Sequence, residues 1–109
     1  MSKRETRNLE FKLKTSKSYL KTVSAFANYG DGEIYFGVDD DGNQVGLDNP
    51  KEDALNIENQ INDSIKPLPN FQIEINDKNK VVKLFVYQGL SKPYFYNGKA
   101  YRRSDSSTI

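Results

Sequence analysis

The stretch Ser24-Ala-Phe-Ala-Asn-Tyr-Gly-Asp-Gly-Glu-Ile-Tyr-Phe-Gly-Val38 decides how this chain is read. Its first third is the end of a helix. Ala25, Phe26 and Ala27 are apolar and mostly small, so that helix end can lie close to a neighbour. Gly30 and Gly32 permit positive φ, which a helix-to-strand reversal often uses. Beyond them Ile34, Phe36 and Val38 alternate with Glu33, Tyr35 and Gly37, the two-residue period of a strand. Asp39, Asp40 and Asp41 follow. A run of carboxylates where a buried strand ends is a first place to look for chemistry.

Toward the N-terminus, Leu9, Phe11 and Leu13 alternate with Glu10, Lys12 and Lys14, which predicts a strand over 9–14 with one buried face. Thr15-Ser16 offers an N-cap for a helix over residues 17–28. Tyr19, Leu20, Val23, Phe26 and Ala27 give that helix a broad apolar face. Toward the C-terminus, Asp40-Asp41-Gly42-Asn43 has the residue types of a hairpin turn and leads to a short strand from Gln44 to Leu47. Asn49 caps a second helix, with Pro50 at its first position and Glu52 three residues after the cap. Ala54, Ile57, Ile61 and Ile65 form its stripe, and Pro67 and Pro69 end it. Residues 71–76 alternate as a half-buried strand. Residues 81–87 are apolar on both faces and read as central. Asn97-Gly98 joins Tyr94-Phe95-Tyr96 to a return strand, Ala100–Arg103. Two main helices with a mixed, largely antiparallel sheet make an α+β domain.

At 109 residues the chain is one domain, 1–109, with 36% hydrophobic and 28% charged residues. No apolar run reaches the length of a membrane span, and none follows the N-terminus as a signal peptide would. The expectation is a cytoplasmic protein with no membrane partner. There is no cysteine and no histidine. Disulfides and thiol nucleophiles are excluded, as are the commonest general base and the commonest transition-metal ligand. Net charge is +1, which says nothing of a partner, but its distribution does. Lys3, Arg4, Arg7, Lys12, Lys14, Lys17 and Lys21 make the first quarter basic, and Arg102 and Arg103 lie near the end. Acidic residues gather between Asp31 and Asp63. If the termini meet in space, they form one basic face. The polar tail stops at Ile109 without a terminal helix, as in the N-terminal part of a longer protein.

Three groups could carry chemistry. Glu5, Glu10 and Lys12 could share a site with Asp39 and Asp40 if strand 9–14 lies beside strand 33–38. Clustered carboxylates repel, and a hard cation such as Mg²⁺ or Mn²⁺ is their natural counter-ion, needing no histidine. Such a cation can polarise a phosphodiester and activate water, with Lys12 steadying the transition-state charge. Spacing alone favours a plainer reading of solvated faces and a turn. The glycine turn with Asn28 could cradle a phosphate, but no Lys-Ser or Lys-Thr follows it and Asp31 repels anions, so a structural turn is the better reading. Tyr94, Tyr96, Tyr101, Arg102 and Arg103 combine rings with guanidinium groups, as single-stranded nucleic acid prefers. Strand alternation sends half of them to the core.

Several segments together resemble the Schlafen-type AlbA-like domain. They are Glu5-x4-Glu10-Phe11-Lys12, Val23-Ser24-Ala25-Phe26-Ala27-Asn28, Gly32-x4-Gly37-Val38-Asp39-Asp40-x-Gly42 and Val45-Gly46-Leu47, with Pro93-Tyr94 and Tyr101-Arg102 near the end. The resemblance implies a nucleic-acid-binding domain, DNA or RNA, of the kind found at the N-terminus of bacterial transcriptional regulators and helicase-related proteins. For such a function Lys12, Arg102 and Arg103 are the best phosphate contacts this sequence offers, with Lys3, Arg4 and Lys14 in support. The family's vertebrate members point to an alternative, a metal-dependent endoribonuclease acting on structured RNA. Its Mg²⁺ or Mn²⁺ would sit on Glu5, Glu10 and Asp40, with Lys12 as fourth catalytic residue. Those nucleases pair two lobes, so one lobe alone would need to form a homodimer to enclose a duplex. An ATP-binding or protein-interaction domain is a third reading, the first disfavoured by the missing Walker motif. Two departures stand out. Asp31 replaces the first of two adjacent glycines, and Ser104-Asp105 stand where glycine usually follows the arginines.

Overall fold

Strand Leu9–Lys12 (β1) lies beside strand Gly32–Phe36 (β2) and runs parallel to it in the computed structural model, which describes residues 4–109. Parallel neighbours need a crossover, and helix Tyr19–Tyr29 (α1) supplies it. Helix Pro50–Ser64 (α2) follows, then the short strand Ile65–Lys66 (β3) and the longer strands Asn70–Asn76 (β4) and Val81–Tyr87 (β5). Phe95–Tyr96 (β6), Arg103–Ser104 (β7) and Ser107–Thr108 (β8) complete the chain. The main sheet has the order β1-β2-β5-β4, antiparallel except for β1 with β2. This is the α+β architecture with two helices and a mixed, mostly antiparallel sheet that the sequence pattern predicts. Among the described residues no helix is long and apolar enough to cross a membrane.

The helices cover one face of the sheet. Phe26, Ile34, Phe36, Ile57, Ile61, Val82, Leu84 and Val86 meet there in the main core. A smaller cluster on the other side joins Phe11, Tyr35, Val38 and Val81. Register fixes which way β1 points. Glu10 stands opposite Ile34 and Lys12 opposite Phe36, and directly paired residues share a face. Both charged side chains therefore point to the helix side, at the edge of the core.

The segment Ser24–Asn28 does more than pack. Asn28 Oδ1 accepts from Tyr94 N at 2.6 Å, and Asn28 Nδ2 donates to Tyr94 O at 3.0 Å. Ser24 Oγ donates to Tyr94 O at 2.8 Å and accepts from Tyr101 N at 3.2 Å. Two buried polar side chains on α1 thus satisfy the backbone of the C-terminal segment, where an unmet amide would be costly. Helix α2 begins as its sequence implies: Asn49 accepts from Glu52 N and donates to its carboxylate, with Pro50 first in the helix. The two helices are tied by Tyr19, whose hydroxyl donates to Gln60 Oε1 at 2.6 Å. Burial, and then the charge on Tyr96, pushes the Tyr19 hydroxyl above its ordinary pKa.

Several local expectations give way. The first strand stops at Lys12, leaving Leu13 exposed. Helix α1 starts after Ser18, not Thr15-Ser16, and without a side-chain cap. No strand forms over Gln44–Leu47. Only Val38 and Gln44 make an isolated bridge, while Val45 N and Gly46 N both donate to Gly37 O at 2.8 Å. The Asn97-Gly98 turn forms, but its return strand does not. Phe95–Tyr96 pairs with β3 instead, and Arg103–Ser104 pairs with Ser107–Thr108. Gly30 is extended, with φ 161°, and Gly32 has no positive φ. The reversal after α1 needs no left-handed residue. Glycine is required at 32 for space, because a Cβ there would lie 2.5 Å from the Phe26 ring. Asp39 anchors its own turn: Oδ1 accepts from Asp41 N at 3.0 Å and Asn43 N at 2.9 Å.

Two outcomes follow from these contacts. Gly32→Ala forces a methyl into a buried ring and lowers stability by about 1–3 kcal/mol, read as a lower urea midpoint at unchanged slope. The Asn43 N–H, above all, holds the Asp39 carboxyl below its ordinary value of 3.8. A depressed carboxylate stabilises fully above the unfolded value and loses that contribution as pH falls through the folded one. Amide exchange at Asn43 therefore accelerates as pH falls below 3.8, beyond the intrinsic pH trend, and Asp39→Ala accelerates it already at neutral pH.

Candidate nucleic-acid interface

The two ends of the chain meet at Arg103. Its guanidinium donates from Nη1 to Glu10 Oε1 at 2.9 Å and to Thr108 Oγ1 at 3.1 Å. Nη2 donates to Thr6 O at 2.7 Å and Nε to Arg7 O at 3.1 Å. The group also lies 5.6 Å from the centre of the Phe26 ring. Its side chain is 3% exposed. Arg103 was expected to hold phosphate; its donors are instead spent inside the protein, tying the β7–β8 hairpin to the N-terminal segment.

Glu10 is the other half of this pair and is 8% exposed. Its Oε1 also accepts from Thr22 Oγ1 at 3.1 Å. Oε2 accepts no hydrogen bond and faces Lys12 Nζ at 3.9 Å. Lys12 in turn donates to Ser18 Oγ at 3.2 Å. Glu5 uses Oε1 to accept from Phe11 N at 2.9 Å, where it holds the start of β1. Asp40 is exposed on the Asp39–Asn43 turn. Among the described residues no three acidic or metal-ligating side chains are placed to hold a metal ion. Glu5, Glu10 and Asp40 are engaged separately: two cationic side chains face Glu10, a backbone amide engages Glu5, and Asp40 stands on the turn. The expected neighbourhood of β1 and β2 is present, but Asp40 has passed beyond it into the turn.

The remaining predicted contacts fall into two groups. Lys12 is half-buried beside Glu10, while Arg4, Lys14 and Arg102 are exposed. Lys3 lies outside the described residues. Among those described, the ion pairs join only Glu10 to Arg103 and Lys12, so Arg4, Arg7, Lys14 and Arg102 lack a carboxylate partner. Arg7 and Arg102 line a cleft of about 320 Å³ together with Asn8, Ala25, Phe26, Tyr29, Gly30 and the anchored Arg103. Phe26 and Ala25 are buried on its helix side, and Tyr29 is 65% exposed. Asp31 is not among the residues that line the cleft; its Oδ1 accepts from Gln88 N at 2.7 Å. Beside this lies a second cationic and aromatic group, with Lys21 at 5.9 Å and Lys99 at 5.0 Å from the Tyr101 ring. Tyr94, by contrast, is buried.

Tyr29 and the role of Arg7 in a cleft were missed by sequence reasoning. Tyr29 does carry a signal. It stands off the apolar face of α1, next to a glycine, where a core role could not explain an aromatic ring.

The comparisons agree with this architecture. The sequence matches the Schlafen, AlbA_2 family over residues 5–109. Among solved structures, the chain is similar to an N-terminal domain from Nitrosomonas europaea, determined by solution NMR, of a protein described as related to the ATP-dependent DNA helicase RecG. The two are 29% identical, with a TM-score of 0.57, over 92% of this chain and 78% of that one. No curated protein matches. With the family match running from Glu5 to the last residue, the chain belongs to the Schlafen AlbA_2 family.

Proposed function

We propose that this domain binds nucleic acid through the basic face where its ends meet, as the DNA-binding part of a transcriptional regulator. The observation that carries the reading is the unpaired Arg7 and Arg102, brought to one cleft beside the Arg103 anchor, with Arg4 exposed on the same N-terminal segment. Cations without internal partners keep their full field for phosphate. Lys14 extends the same charge to the other end of edge strand β1, with Lys12 behind it. The likeness to a domain of a helicase-related protein supports a nucleic-acid partner. The metal-dependent nuclease has no such support, because Glu10 is committed to Arg103. A homodimer would place two such faces on one duplex, and sedimentation with and without DNA reads that directly.

The neighbouring arginines test this proposal. Each phosphate contact adds about 0.9 to the slope of log affinity against log salt. Arg102→Ala and Arg7→Ala should each weaken binding to a labelled DNA and flatten that slope by about one, with melting temperature little changed. Arg103→Ala strands Glu10 in the interior and costs about 3–5 kcal/mol of stability. If both exposed arginines can be removed with the salt slope intact, the phosphate face lies elsewhere.

A further inference from the structure

The cleft between the chain ends and α1 has a lining that phosphate contact alone does not explain. Phosphate wants donors and charge, and Arg7 and Arg102 provide them at the rim. Ala25 and Phe26 line the cleft on the helix side, with the internally bonded Arg103 guanidinium 5.6 Å from the Phe26 ring, and Tyr29 keeps 65% of its surface open beside them. The cleft also sits at the C-terminal end of α1, where helix carbonyls carry partial negative charge and no basic residue lies in the last turn. That end disfavours a phosphate deep in the cleft but suits the N–H donors of a base edge. An occupant must therefore be anionic at one end and planar, apolar-faced and donor-bearing at the other. A nucleotide has that form. At about 320 Å³ the space is at the small end of ligand-sized sites and suits one unit rather than a run.

A base within an intact duplex cannot enter, because its faces are stacked and its edge is paired. We propose that this cleft receives a single unpaired nucleotide, its base against Tyr29 and its phosphate at the Arg7–Arg102 rim. The domain then prefers single-stranded or unpaired nucleic acid over uninterrupted duplex. This rests on the nucleic-acid reading above and specifies the form of its ligand. Stacking on an aromatic ring tolerates any base, so the preference is for strandedness and not for sequence.

The test titrates the chain with a labelled 12-nucleotide DNA, the same sequence as RNA, and the corresponding DNA duplex at low salt. A further single strand carries 2-aminopurine, whose fluorescence is quenched by stacking. Wild type binds the single strand more tightly than the duplex and quenches 2-aminopurine. Tyr29→Ala weakens single-strand binding about 5- to 150-fold, the usual range for losing one stacked base, and abolishes the quenching. Tyr29→Phe, which keeps the ring, keeps the preference. Comparing the DNA and RNA arms shows which sugar the cleft accepts. Equal affinity for single strand and duplex, with Tyr29→Ala matching wild type on both, overturns the cleft assignment while the basic face stands. Absence of salt-dependent binding to every probe overturns both.

Discussion

The buried pair between Glu10 and Arg103 is the contact on which the placement of everything else depends. These residues are 93 positions apart and meet at 2.9 Å, both nearly inaccessible to water. Taking two charges out of water is expensive, and their attraction repays it only when further hydrogen bonds satisfy the remaining groups. Here they do so in large part. Thr22 and Thr108 supply hydroxyls, and the carbonyls of Thr6 and Arg7 take the other guanidinium donors. The pair also selects which arginine is available. Arg103 is buried and its neighbour Arg102, just before β7, is exposed. The internal salt bridge thus occupies one of the two arginines and leaves the other to the rim of the cleft.

The clasp on α1 acts in the same direction. Ser24 and Asn28 hold the backbone at Tyr94 and Tyr101, which brings the last segment of chain over the helix before the hairpin closes. Small residues between them, Ala25 and Ala27, let that segment come close. A helix end that looked like a turn signal is better understood as a docking strip for distant backbone. Its exposed edge, at Tyr29, is left over for a ligand.

Local patterns carried much of this fold. A run apolar on both faces at 81–87 and alternation over 33–38 mark the interior strands, and the Asn49-Pro50 start of α2 follows from capping chemistry alone. The adjacency of β1 and β2, the condition on which a shared site depended, is present. What failed were assignments that needed a partner to be known. Asn97-Gly98 specifies a turn but not what its arms pair with. Ile65–Lys66 competes for one arm and Glu10 captures the residue beyond the other. Gln44–Leu47 has strand-like residues, yet Gly37 O accepts both nearby amides and bends the segment away from any ladder. Arg103 and Arg102 look alike in sequence because nothing local records a carboxylate near the other end of the chain. The candidate site was legible as a basic meeting of two termini, whereas its aromatic wall was not.

A near-neutral chain can still present a strongly charged surface if its charges are separated and its internal pairs are few. The acidic residues of α2, Glu52, Asp53, Glu58 and Asp63, belong to a different element from the cleft, and the ion pairs of the described residues involve Glu10 alone among the acids. This also bears on chemistry at Glu10. A divalent cation bound there would have to approach within a few ångströms of Lys12 and displace Arg103, which contributes four hydrogen bonds to the closure of the fold. A divalent cation and an ammonium group about 4 Å apart repel by about 8 kcal/mol at the dielectric of a protein surface. Of the three acids a nuclease reading would use, Glu10 holds the protein's own arginine, Glu5 holds the Phe11 amide and Asp40 stands out on its turn, while Arg7 and Arg102 remain outside without a carboxylate partner.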